Sequence, residues 1–253
     1  MSDLSSPRDE NLSPEEGIRI NRYIASSGFC SRRKADEYVA AGAVTVDDTA
    51  AVAGTRVLEG QVVRVDGKPL FPDEDYVYIA LHKPLGITCT TDRRDPDNVI
   101  DYIHFDKRIY PIGRLDKSST GLLLLTNDGN IVNRILRAEG HHEKEYVVEV
   151  DRPVTQDFLA SMQSGVPILD RVTMPCKIIQ TGSHSFRIIL MQGLNRQIRR
   201  MCEYHEYHVR KLKRTRILNI DIGFLPLGEW RYLTFKEIRD LKTLISEPPR
   251  VRK

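Results

Sequence analysis

The chain places one carboxylate and one guanidinium on a turn that is bounded by glycines and followed by an apolar strand. Arg114 and Asp116 lie between Gly113 and Gly121, and an unbroken run of leucines follows at 122–125. Such a run is typical of a buried strand, so the polar residues before it are expected at the rim of a sheet. A carboxylate fixed there can act as a nucleophile or a general base. It can equally cap its own turn through an Asx-type hydrogen bond, and the spacing alone does not decide between these roles.

Three later segments agree with this turn in order and character. They lie at 144–148, 192–201 and 226–231. Together with residues 113–121 they resemble the motifs of RNA pseudouridine synthases, in the RsuA-like branch that modifies ribosomal RNA and carries an N-terminal S4 domain. Within that branch the chain most resembles the large-subunit rRNA synthase F type, through residues 142–146, 165–169 and the run beginning at 192. The resemblance covers roughly residues 17 to 240.

The resemblance implies that Asp116 is the catalytic carboxylate of a uridine-to-pseudouridine isomerisation. This reaction breaks the N-glycosidic bond, turns the detached uracil and rejoins it through carbon 5, so no metal or other cofactor is expected. Asp116 would either attack the ribose C1′ or remove the 2′ proton. Arg196, Arg199 and Arg200 share one face of a predicted helix. The resemblance implies Arg199 as the cation paired with Asp116; the alternative is a basic helix face in solvent.

Two further side chains take roles from the same resemblance. Tyr146 is implied to stack on the target base, because an aromatic ring holds a flipped uracil without fixing one hydrogen-bonded orientation. The alternative for Tyr146 is core packing with its hydroxyl at the surface. Arg114 is implied to enter the RNA beside the flipped uridine.

Positive charge is concentrated in two parts of the chain. Residues 19–34 carry five Lys and Arg without an acid, and residues 187–216 carry a local charge of +7. Since the formal net charge is only +3, the rest of the chain carries −9. This segregation favours an electropositive face that binds RNA. The side chains predicted to contact RNA are Arg19, Arg32, Arg33, Lys34, Arg114, Lys144, Arg196, Arg200, Lys211, Lys213 and Arg214.

Composition limits the class of protein. The 253 residues are 40% hydrophobic and 29% charged, which is ordinary for a globular chain of one or two domains. No apolar run approaches the roughly 20 residues that span a bilayer, and the start is no signal peptide, so we expect a cytoplasmic protein without a membrane partner.

The four cysteines form no Cys-x-x-Cys pair, which indicates free thiols. Cys202, His205 and His208 are only a weak signal for a metal. The absence of heptads favours a monomer.

The pattern along the chain predicts an α+β protein with two domains. Residues 1–16 are polar and predict a disordered tail. Two short helices and short strands at 17–70 resemble an S4 RNA-binding domain, and 71–76 is a linker rich in proline and acids. Residues 77–246 predict a catalytic domain on a mixed, mainly antiparallel sheet, before a basic tail at 247–253. No glycine fingerprint for phosphate follows a strand, which argues against a nucleotide-binding doubly wound fold.

These observations predict site-specific conversion of uridine to pseudouridine in a stem-loop of large-subunit (23S) ribosomal RNA, with a tRNA anticodon stem-loop as a possible second substrate. A non-catalytic S4-type RNA-binding or ribosome-assembly protein is the first alternative; it explains the basic runs but not the turn at Asp116. A metal-dependent nuclease is the second. It would use Asp92, Asp95, Asp97 and Asp101, which resemble a solvated turn more than a two-metal cluster.

Overall fold

A computed structural model describes residues 17–136 and 142–246. The tails predicted at 1–16 and 247–253 lie outside these described residues. Contacts divide the chain into two compact units, of which the first ends at Tyr76 and the second begins at Val77.

The first unit packs two short helices against short strands. The helices are α1 (Ile20–Ser26) and α2 (Arg32–Ala40), and the strands are β1 (Ile18–Arg19), β2 (Val44–Val46), β3 (Thr49–Ala50), β4 (Arg56–Val57), β5 (Val63–Val65) and β6 (Lys68–Leu70). Ser31 caps α2, since its hydroxyl accepts a hydrogen bond from the Lys34 amide at 3.1 Å. The alternating valines of β2 and β5 are buried and pack with Ile24 of α1. This period-2 burial makes one face of the β3-β2-β5-β6 sheet the core of the unit.

The second unit is built on a nine-stranded mixed sheet. Its strands are β7 (Tyr78–Lys83), β8 (Tyr110–Pro111), β9 (Thr120–Thr126), β10 (Lys144–Val150), β13 (Lys177–Gly182), β14 (Ser185–Leu190), β15 (Val209–Ile217), β16 (Ile220–Asp221) and β17 (Trp230–Tyr232). A separate hairpin joins β11 (Pro167–Ile168) to β12 (Arg171–Val172). The main order is β13-β14-β10-β15-β9-β7-β17, and in the described part of the chain only β15 and β9 run parallel. The predicted α+β class and mixed, mainly antiparallel sheet are confirmed.

Helices flank this sheet. They are α3 (Val99–Ile103), α4 (Gly129–Leu136), α5 (Gln156–Ser164), α6 (Gln197–Tyr204) and α7 (Phe235–Ser246). Helix α3 is too short to give a periodic pattern, and it begins at Asn98, whose side chain accepts a hydrogen bond from the amide of Asp101. None of the described helices combines the length and the hydropathy that a membrane span requires.

Strand β9 is the centre of the second unit. Leu122 and Leu124 point into one apolar cluster and Leu123 and Leu125 into another, so both faces of the strand are buried. Gly121 has φ +113°, and a side chain there would overlap the backbone of Arg214 on the neighbouring strand. Only glycine therefore allows β9 and β15 to approach this closely, which fixes the loop that precedes β9.

Candidate active site

The loop that carries Asp116 is held by hydrogen bonds to its backbone. The thiol of Cys89 donates to the Leu115 carbonyl at 3.2 Å and accepts from the Leu115 amide at 3.3 Å. The Gly86 amide donates to the Lys117 carbonyl at 3.0 Å. These bonds fix the peptides on both sides of Asp116, so the position of its side chain is determined by the surrounding fold.

The carboxylate of Asp116 itself takes no part in closing the turn. The turn is closed by the Ser119 amide, which donates to the backbone carbonyl of Asp116 at 3.0 Å. Within residues 17–136 and 142–246, no hydrogen bond or ion pair to the Asp116 side chain is formed. The Asx-type cap is therefore not what the structure contains. A half-buried carboxylate on a rigid turn is left available to a substrate.

Arg199 of α6 is buried against this turn. Its Nη2 donates to the Ser118 carbonyl at 2.9 Å, and its Nη1 donates to the Val209 carbonyl at 3.2 Å. Burial lowers the pKa of the Arg199 guanidinium and Arg196 adds to this effect, while the negative charge of Asp116 opposes it. The predicted ion pair between Arg199 and Asp116 is therefore not formed among the described residues. Arg199 bonds to the backbone of the turn and acts on the Asp116 carboxylate only through longer-range electrostatic attraction. Its Nη groups bond to these two carbonyls instead of to the carboxylate.

Arg214 requires a second correction. Sequence analysis assigns it to RNA, but its side chain is only 3% exposed. Its Nε donates to the Leu122 carbonyl at 2.7 Å and its Nη1 to the Arg114 carbonyl at 3.3 Å. Arg214 therefore ties the loop before β9 to the strand itself, which is a structural role and not one of surface contact with a nucleic acid. The alternation of residues along β15 indicates that Arg214 is buried, because Arg214 lies on the same strand face as the buried Leu212.

Lys83 is a buried cation near the turn that the sequence analysis did not single out. Its side chain is fully buried, and its Nζ donates to the carbonyls of Pro84 at 2.8 Å and Ile87 at 2.9 Å. Burial lowers the pKa of the Lys83 amine, and the charge of Asp116 is among the influences that oppose this. Lys83 thereby fixes the loop after β7, whose Gly86 amide donates to the turn that carries Asp116. A lysine followed by proline at the end of a mostly apolar strand was the available signal.

Tyr146 lies on β10 between two apolar clusters. It is the cross-strand partner of Arg214 on one side and of Ile188 on the other. The half-buried ring packs against both clusters, and one of them contains Leu115, the residue before Asp116. The ring of Tyr146 thus packs against the apolar cluster that lies beneath the turn carrying Asp116. Its stacking on a base remains a prediction.

Two buried cations lie within electrostatic range of the Asp116 carboxylate. Lys83 and Arg199 both interact electrostatically with Asp116. Arg214 in turn acts on Lys83 and on Lys144, and burial together with Arg214 lowers the pKa of Lys144 to about 8. An excess of positive charge in a partly desolvated site suits a polyanionic substrate.

The other predicted RNA-binding side chains differ in their surroundings. Those on the exposed surface are Arg19, Arg32, Arg33, Arg114 and Arg196. Lys34 pairs with Glu37 at 2.7 Å, and Lys211 pairs with Glu149 at 2.9 Å. Arg200 donates to the carbonyl of Asn195, and Lys213 is half-buried.

The acids proposed for a nuclease do not converge. Asp92 pairs with Arg94 at 2.6 Å, and Asp97 pairs with Lys117 at 2.7 Å. No three His, Cys, Asp or Glu side chains come together to hold a metal ion in the part of the chain that the structure describes. Cys202 is buried, which raises its thiol pKa to about 12. The described acids are thus engaged by neighbouring cations and do not form a two-metal cluster.

Comparison with known proteins gives a consistent result. A family model described as RNA pseudouridylate synthase matches residues 77–204, and one for the S4 domain matches 18–63. The chain is 52% identical to the dual-specificity RNA pseudouridine synthase RluF of Escherichia coli (strain K12), over 92% of this chain and 81% of that protein. It is 33% identical to the ribosomal large subunit pseudouridine synthase B of Bacillus subtilis (strain 168), over 89% and 96%. A crystal structure of a pseudouridylate synthase superposes with a TM-score of 0.65 at 27% identity, over 89% of this chain and all of that one.

Proposed function

The chain belongs to the RNA pseudouridine synthase family, and we propose that it isomerises one uridine in a stem-loop of large-subunit ribosomal RNA. The observation that carries the proposal is the Asp116 carboxylate, which is held on a turn fixed through its backbone and is bonded to no described residue. The large subunit is named for the relative from Bacillus subtilis. The dual specificity named for the relative from Escherichia coli supports a second RNA, for which we propose a tRNA anticodon stem-loop.

Each central residue then has a definite task. Asp116 attacks C1′ of the target nucleotide or removes its 2′ proton, and the turn holds it still while the uracil rotates. Tyr146 stacks on the flipped base, since a ring face tolerates rotation of the uracil. Arg199 positions the turn through the Ser118 carbonyl and attracts the carboxylate.

RNA binding is shared between the two units. Exposed Arg32 and Arg33 stand at the start of α2, where free backbone amides and the helix dipole favour phosphate oxygens. A tethered RNA-binding unit raises the effective concentration of RNA at the catalytic unit. We propose that the protein works as a monomer in the cytoplasm, where its RNA substrates are made.

The experiment that tests this function is pseudouridine mapping on purified components. We expect the wild-type protein, with a chelator and no added cofactor, to form pseudouridine at one position of unmodified large-subunit ribosomal RNA. Carbodiimide-dependent primer extension locates the product. Tight binding without pseudouridine, on both ribosomal RNA and tRNA, would instead support the non-catalytic RNA-binding protein.

Arg114 gives a prediction about base flipping. We expect Arg114→Ala to slow modification of a folded stem-loop about 10- to 100-fold more than modification of a short single strand. The reason is that only the folded RNA must be unstacked, which costs a few kcal/mol. Rates on the two RNAs, measured under single-turnover conditions, give the ratio.

A neighbouring cation provides the control. Lys117 is exposed on the same loop and pairs with Asp97, so Lys117→Ala removes one positive charge while leaving Arg114 in place. This variant should keep the wild-type ratio between folded and single-stranded RNA. Equal losses on both RNAs in Arg114→Ala would contradict a role for Arg114 in flipping.

A further inference from the structure

The sheet edge that carries the turn of Asp116 also carries three exposed apolar side chains. Leu85 is 62% exposed, Leu227 is 59% exposed, and the ring of Phe224 is exposed over its whole surface. Single apolar side chains in solvent are common, whereas a group of them at one place indicates an interaction surface. We call Leu85, Phe224 and Leu227 the apolar shelf.

Leu85 is tied directly to the turn that carries Asp116. It lies in the loop after β7, and the amide of the next residue, Gly86, donates to the Lys117 carbonyl at 3.0 Å. The carbonyl of the preceding residue accepts a hydrogen bond at 2.8 Å from the buried Nζ of Lys83. The backbone is therefore fixed on both sides of Leu85, and the fold holds this side chain in solvent beside the turn.

Phe224 and Leu227 share the loop between β16 and β17, which runs beside the end of β7. The Gly228 amide donates to the His82 carbonyl at 2.9 Å, so Leu227 lies next to the loop that follows β7. The ring of His82 holds the same loop, because its Nδ1 donates to the Leu225 carbonyl at 2.7 Å. Phe224 directly precedes this anchored residue, so its exposed ring also projects from a fixed backbone.

The position of the apolar shelf determines what can cover it. Any molecule that covers Leu85 reaches the turn of Asp116, which begins one residue further along a hydrogen bond. The proposed function places the target nucleotide over this turn, so the shelf continues the surface that the RNA occupies. A separate protein partner on Leu85 would compete with the substrate for the same space.

The chemistry of the shelf suits a base and not a phosphate. Its three side chains are uncharged, while the cations of the catalytic unit lie elsewhere around the site. Bases stack on aromatic side chains in a manner that tolerates many sequences. Flipping one uridine out of a stack also leaves the neighbouring base without its stacking partner.

We propose that the apolar shelf binds an unpaired nucleobase next to the target uridine. The proposal rests on the proposed function for its RNA, and it adds a specificity element to the catalytic unit. A base can reach the shelf only if it leaves its own stack, which is easier in a loop than in a paired stem. The shelf therefore selects uridines whose neighbour is unpaired.

The first test measures RNA affinity by filter binding on an unmodified 23S ribosomal RNA transcript. We expect Phe224→Ser to weaken binding roughly 5- to 150-fold, which is the usual effect of removing a ring that stacks on a base. Leu85→Ser should weaken it about fivefold, through the loss of partial leucine burial. The slope of log K against log salt should stay at the wild-type value in both variants, because an apolar contact releases no counterions.

Two variants serve as controls for the ring. Phe235→Ser makes the same chemical change at a residue that is 82% exposed and follows the opposite end of β17, so it should keep wild-type affinity. Phe224→Tyr keeps a ring at the shelf and should bind like wild type. Melting temperatures should match wild type in all four variants, because each changed side chain is exposed.

The second test identifies the bound base. Pseudouridine mapping gives the target uridine, and each unpaired neighbour in its stem-loop is replaced in turn by an abasic nucleotide. At the position that contacts the shelf, the abasic RNA should bind wild type more weakly, and Phe224→Ser should lose nothing further on that RNA. At other positions the two losses should add.

Three results would overturn the proposal. They are wild-type affinity in both Phe224→Ser and Leu85→Ser, an equal loss of affinity in Phe235→Ser, and additive losses at every abasic position. Wild-type affinity in the first pair would assign the shelf to a protein partner. Filter binding requires no product, so a wild type that binds the transcript without forming pseudouridine would refute the proposed function while the first test still decides the shelf.

Discussion

Asp116→Asn is expected to abolish pseudouridine formation while leaving RNA binding intact. The amide is nearly the same size as the carboxylate, but it can neither attack C1′ nor remove a 2′ proton, so we expect kcat to fall by at least about 10⁴-fold. Folding should be preserved, since the turn is closed by the backbone of Asp116 and no described residue bonds its side chain. Single-turnover mapping of pseudouridine and filter binding on the same RNA separate the two effects.

A second carboxylate provides the matched control for this change. Asp97 is exposed in a neighbouring loop and is bound to Lys117, so Asp97→Asn removes one negative charge at the surface. Activity in Asp97→Asn should remain close to wild type. Substantial pseudouridine formation by a folded Asp116→Asn variant would overturn the assignment of the catalytic carboxylate.

Local patterns were sufficient where burial follows directly from periodicity. The leucine run of β9 predicts a strand buried on both faces, and the structure places its leucines in two separate apolar clusters. The two short helices expected within 17–70 are α1 and α2, and Ser31 caps the second of them. In these cases a few neighbouring residues contain all the information that the local structure requires.

The position of a cation along the chain was not enough to predict whether it is buried in the protein or available to RNA. Lys83 and Arg214 are buried because distant strands cover them, and the residues next to them in the chain give only weak signals, a following proline for Lys83 and strand alternation for Arg214. Arg214 lies in a basic run that is typical of a solvated surface, yet the parallel pairing of β15 with β9 places it inside the sheet. The sequence therefore identified the charge of the site, while tertiary packing decided which cations hold the protein and which remain for RNA.

Two adjacent arginines of α6 test the distinction between cations that hold the protein together and cations that bind RNA. We expect Arg199→Ala to lower kcat about 10²-fold without weakening RNA binding, because a shift of the catalytic group by about 1 Å has an effect of this size. Arg199 holds the Ser118 carbonyl, and its loss releases the turn that carries Asp116. Arg199→Lys retains the charge but cannot reach both carbonyls at once, so it should recover only part of the rate. Rates measured well below each variant's melting temperature exclude partial unfolding as the cause.

Arg200 is the contrasting variant on the same helix. Its guanidinium bonds Asn195 and lies further towards solvent, so Arg200→Ala should weaken RNA binding and its salt dependence while kcat at saturating RNA is retained. A buried arginine that orients a catalytic turn affects the chemical step, whereas a neighbour that binds phosphate affects affinity. Loss of kcat and of affinity in equal measure by both variants would contradict this division, and would assign α6 as a whole to RNA binding.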